Sequence, residues 1–99
     1  MNNTKKPYPA ATITYEDALR PVSEDLYQMM LYEDRSMSLS EHGDDRLAED
    51  LQRLADVHTL KAEVLADFVA RLFGLETDEV IGDASESAKA TYEERRKNG

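Results

Sequence analysis

Two basic side chains stand where an apolar face is drawn. In "LQRLADVHTLKAEVLADFVARLF", Leu51 to Phe73, apolar residues recur at helical spacing, and His58 and Lys61 fall in the middle of their stripe. At about 100° per residue, His58 lies beside Leu47, Leu51 and Leu65, and Lys61 lies between Leu54 and Phe68. An imidazole and an ammonium three residues apart suit three arrangements. With Tyr15 they would line a pocket for a small anion. Set against carboxylates of a facing helix, they would form a buried polar layer that fixes register at some cost in stability. At the edge of a stripe that drifts onto Val57, Leu60 and Val64 they would be solvated, the lysine methylenes lying along the apolar surface. A helical hairpin turning near Ser40 brings residues 17 to 25 opposite 56 to 63, so Asp17, Glu24 and Asp25 are the candidate acids.

Catalysis asks for more than the chain offers. His42 and His58 are 16 residues apart, with no H-x-x-x-H or E-x-x-H pair to place ligands on one helix face. Glu41, His42, Asp44 and Asp45 cluster in "SEHGDD", but without the order of an EF-hand loop, and a solvated acidic loop is the expectation. Glycine-rich phosphate loops and nucleophile-elbow motifs are absent. No enzymatic activity, cofactor or metal is expected.

The elements that must position His58 and Lys61 read as all-α. Thr14 before "YED" is an N-cap with Asp17 at the third position. Pro21 either opens a second helix or kinks one longer helix. Both alternatives carry helix to about Ser36, with Tyr15, Leu19, Val22, Leu26, Met29, Met30 and Met37 on one face. "SMSLSEHGDD" breaks the pattern, and Asp44 or Asp45 starts the next helix. There Leu47, Leu51, Leu54, Leu65, Phe68 and Leu72 alternate by four and three as the expected core stripe, widened by Val57, Leu60, Val64 and Val69. Gly74 closes this helix, which at 1.5 Å per residue is about 42 Å long. The expected organisation is a flexible arm over 1–13, an antiparallel helical hairpin over 14–74 with the longer second helix, and an acidic segment with a short C-terminal helix over 75–99. In the last segment Leu75, Val80, Ile81 and Tyr92 are the residues available for docking, so only a turn at 77–81 and a weakly held final helix are expected.

Composition narrows the function further. Ninety-nine residues, 33% of them charged, give one small domain with a modest core, so self-association into a helical-bundle oligomer is expected. Without cysteine there is no disulfide framework or thiolate site. No stretch reads as a signal peptide or a membrane span, and a soluble cytoplasmic protein is the expectation. With 21 acidic against 12 basic residues the net charge is −9, a sign that repels phosphate backbones and anionic membranes and favours a basic protein partner. Asp44, Asp45, Glu49, Asp50, Asp78, Glu79 and Asp83 would supply an acidic surface. Tyr27, Leu31 and Tyr32 point away from the Leu26, Met29, Met30 stripe and would offer a partner or oligomer surface, since a helix apolar on two sides needs two neighbours.

"VARLFGLETDEVI" resembles the turn of a helix-turn-helix module: Ala70, Gly74 four residues on, then Leu75, with Val80 where a second helix packs back. The resemblance covers about 13 residues and implies a DNA-associated regulator, with the basic "ERRK" end assisting. The acids Asp78, Glu79 and Asp83 would lie on the helix that such modules place in the groove. The reading that fits the whole chain best is an acidic interaction module that binds and modulates or inhibits a larger protein, in its sharpest form an inhibitor presenting carboxylates to a nucleic-acid-binding surface. A DNA-associated regulator and an oligomeric binder of a small anion are the alternatives.

Overall fold

A computed structural model describes residues 13–98. Three helices follow one another: α1 (Tyr15–Glu41), α2 (Asp45–Phe73) and α3 (Thr77–Asn98). Apart from Ile13, the arm expected over 1–13 lies outside the described residues, as does Gly99.

Each boundary has a local cause. The Thr14 hydroxyl accepts the Asp17 N–H at 3.1 Å and starts α1. Pro21 lies inside α1 without ending it, so one helix runs through both candidate segments and on to Glu41, past the Ser36 expected from the pattern. The Ser36 hydroxyl explains part of that extension, because it donates to the Ala48 carbonyl of α2 at 2.7 Å and is buried there. Asp44 caps α2 by accepting the Leu47 N–H at 3.3 Å. Gly74 ends α2 at φ 67°, ψ 36°, a left-handed conformation that costs a residue with a β-carbon free energy. Two residues later the Glu79 side chain accepts the Glu76 N–H at 2.9 Å and opens α3.

Contacts between α1 and α2 run from Ser36 with Ala48, through Asp25 with His58, to Tyr15 with Phe73. The core lies between the three helices. Ala18, Val22, Leu26 and Tyr27 come from α1, and Val80, Ala84 and Ala88 from α3. α2 contributes Ala62, Ala66, Val69 and Ala70. Its alanines carry only a methyl group to keep a neighbouring backbone away, so two helices can pack closely against them.

Two expectations change. The C-terminal helix is not short: α3 is a continuous 22-residue helix packed on both others, held by Val80 at 0% exposure, Ala84 at 0% and Ala88 at 1%. Its alanines were too small to register as docking residues in the pattern. The core stripe of α2 is also displaced. Leu47, Leu54, Phe68 and Leu72, expected inside, are 43 to 60% exposed, and Val57, Leu60 and Val64 are 51 to 66% exposed. Ala48, Ala55, Ala62 and Ala66 take the buried positions instead. Met37, expected on the packing face of α1, is likewise 63% exposed. The leucine periodicity marks an apolar face of α2, but α1 and α3 cover the neighbouring one.

Candidate interaction surface

Asp25 resolves the place of the two basic residues. It sits on α1 at 8% exposure, and its Oδ1 lies 2.8 Å from His58 Nδ1 and 3.5 Å from Lys61 Nζ. The spacing of three on α2 puts both nitrogens within reach of one carboxylate. Tyr32, seven residues beyond Asp25 on α1, stacks on the His58 ring with centroids 5.6 Å apart and planes 15° from parallel. A carboxylate shielded from water is costly unless paired, and here it has two basic partners, one of them held under the Tyr32 ring. Of the other candidate acids, Asp17 pairs with Arg20 at 3.2 Å on the surface.

Tyr15 is elsewhere. Its hydroxyl donates to Asp83 of α3 at 2.7 Å, and its ring meets Phe73 edge-on with centroids 5.5 Å apart. Partial burial and the neighbouring Asp83 carboxylate push the Tyr15 phenol up to about 12, so it stays a donor at any ordinary pH. A second tyrosine, Tyr92, donates to Asp34 of α1 at 2.8 Å, and that bond with partial burial also raises its pKa. These two phenol–carboxylate bonds tie α3 to α1, a role that the sequence pattern left unassigned. The signal was present in the placement of a tyrosine near each end of the paired helices. Asp83 is therefore a bonding partner of Tyr15 as well as an exposed acid.

The surface expected at Tyr27, Leu31 and Tyr32 is taken up within the chain. Tyr27 is 7% exposed, with the Arg95 guanidinium of α3 lying 4.7 Å from its ring centroid. Leu31 packs against the core and Tyr32 covers His58. The second neighbour that this side of α1 required is α3.

The acids keep their exposure, and several have structural duties. Asp44 caps α2, Asp45 accepts from Ser40 at 3.2 Å, and Asp50 pairs with Arg53 at 3.2 Å. Glu49 is exposed between them, and Asp78 and Glu79 are exposed on the first turn of α3. The segment resembling a helix-turn-helix does join two helices through Gly74, and these two acids open its second helix. Asp67 is held below the usual carboxylate range by its bonds to Arg71 and Thr77, and the Thr77 bond fastens the end of α2 to the start of α3. His42 is engaged at the end of α1, its Nδ1 lying 2.7 Å from the Ser38 carbonyl. Among the described residues no group of three or more side chains is arranged to hold a metal ion, and no helix is long and apolar enough to cross a membrane.

The outward face of α2 remains uncovered. Leu54, Val57, Leu60, Val64, Phe68 and Leu72 form a stripe that continues to Leu75, each residue between 36 and 66% exposed. At its centre Val57, Leu60, Lys61, Val64 and Leu65 line a shallow apolar hollow of about 400 Å³. The largest apolar patch on a typical monomer is about 300 to 600 Å², and a stripe of this length lies at or above that range. Comparison with protein-family models, with curated proteins and with solved structures found no match to this chain.

Proposed function

We propose that the protein is a small acidic interaction module that binds a larger protein partner and modulates it by occupying its surface. The observation that supports this reading is the exposed acidic surface of a chain carrying net charge −9, beside an apolar stripe on α2 that the chain itself leaves uncovered. In this reading α1 and α2 form an antiparallel hairpin, in keeping with the order of their contacts, and α3 braces it. The acids Asp44, Asp45, Glu49 and Asp50, exposed at the start of α2, steer the module towards a basic surface. In its sharpest form that surface belongs to a nucleic-acid-binding protein, and the module is an inhibitor. A pocket for a small anion has less support, because His58 and Lys61 both direct their nitrogens at Asp25.

The test is affinity capture with the full chain and with a variant carrying Asp44→Asn, Asp45→Asn, Glu49→Gln and Asp50→Asn. A basic protein retained by the wild type, and released both by the substitutions and by raised salt, is the expected result. Capture that ignores both, or no capture, overturns the reading.

A further inference from the structure

We infer that a second copy of this chain covers the α2 stripe, with the two α2 helices side by side and antiparallel about a two-fold axis near Val64. The inference deepens the reading above and rests on it: the module assembles through α2 and meets its partner with the acidic faces left outside.

Area is the first argument. With each side chain 36 to 66% exposed, the stripe from Leu54 to Leu75 offers a continuous surface with a shallow hollow at its centre. It amounts to something on the order of 700 Å² per copy, close to the roughly 800 Å² per partner of a stable protein–protein interface. Its length, about 32 Å at 1.5 Å per residue, is some three quarters of the roughly 43 Å of α2, so a second α2 laid alongside spans it.

Self-complementarity is the second. With the axis between Val64 and Leu65, Val57 falls opposite Leu72, Leu54 opposite Leu75, Phe68 opposite the methylenes of Lys61, and Val64 beside its own copy at the centre. Large against small is the pairing that fills space without strain. Parallel, in-register pairing would instead stack Phe68 on Phe68 and Lys61 on Lys61, which wastes volume and opposes like charges.

The third argument is the charge inside the stripe. Lys61 is 57% exposed along its side chain, yet its ammonium is 3.5 Å from Asp25 of its own chain. That pairing draws the charge back towards α1 and leaves the lysine methylenes to be covered by the second copy. A surface meant for an acidic partner would have presented the ammonium free.

The experiment uses the full chain in sedimentation at micromolar concentration, in low and raised salt. The expected mass is twice the 11.2 kDa of one chain. Because each copy carries −9, salt holds or strengthens this pairing, the opposite of its effect on a basic partner. Val64→Glu sets like charges on the axis and halves the mass while the helical circular dichroism persists, since Val64 is 66% exposed. The absence of cysteine permits a direct reading of direction. Leu54→Cys and Leu75→Cys chains, mixed and treated with a short bifunctional thiol reagent, link to each other, whereas neither links to itself. A monomeric wild type, a Val64→Glu variant that keeps the double mass, or self-linking of either cysteine variant overturns the inference. A monomer that still captures a basic partner overturns only the pairing, and a dimer that captures none supports the pairing while overturning the function.

Discussion

Two faces of α2, about two residues apart and so nearly opposite around the helix, have opposite fates. The face bearing Ala55, Ala62 and Ala66 is 0 to 1% exposed, while the face bearing Val57, Val64 and Phe68 is 51 to 66% exposed. The more hydrophobic face is the one left in solvent. Burial within the chain follows how closely a neighbouring helix can approach, and alanine allows the closest approach at little loss of side-chain entropy. Large side chains yield about 1.5 to 3 kcal/mol each when fully buried, and here most of that free energy is left for a contact made after folding. α2 thus works as a two-sided element, one side holding the monomer together and the other available for association.

The contrast is broken most severely on the covered side. Ala62→Asp places a carboxylate at a position with 0% exposure, where an unpaired charge costs several kcal/mol, a large part of the stability of a small domain. Loss of most of the helical circular dichroism at ordinary temperature is expected, and a cooperative melt near that of the wild type would show that the alanine face is not the core. Between the two faces lies the Asp25 layer. Asp25→Ala leaves His58 half-buried without its carboxylate and should lower stability by about 1 to 3 kcal/mol. Urea denaturation reads this as a lower midpoint at unchanged slope, and an unmoved midpoint would make the layer ornamental. On the uncovered side, Phe68→Ser should alter the stability of the dilute chain by no more than about 0.5 kcal/mol, as for other exposed substitutions. A loss several times larger, measured by the same denaturation at low concentration, would mean that the stripe is covered within the chain.

The all-helical class, the starts of α1 and α2 and the stop of α2 were legible because they depend on neighbours in sequence. Thr14 and Asp44 cap through hydroxyl and carboxylate groups that reach only three residues, and Gly74 ends α2 through its own backbone freedom. The spacing of His58 and Lys61 also put both on one side of α2, and Asp25 was among three acids named for the one of three arrangements that pairs them. Choosing Asp25 over Asp17 and Glu24 required the rotation of α1 about its axis, which no local rule supplies. The same is true of Tyr15, whose spacing gave no reason to prefer Asp83, 68 residues away. α3 was underestimated for a related reason. Val80, Ala84 and Ala88 form a narrow stripe in a polar segment, and alanine is equally at home on a helix surface.

The sequence by itself determined an all-helical chain, its strong negative charge, the starts of α1 and α2 and the stop of α2, and the presence of an apolar stripe on α2 with two basic residues within it. Those properties follow from periodicity, capping and composition, and each is set by residues within a few turns of one another. Only the tertiary structure decided which side of α2 is inside. That choice depends on three helices packing at once, and the arrangement adopted brings helices together over alanine and leaves Leu54, Leu60 and Leu72 facing out.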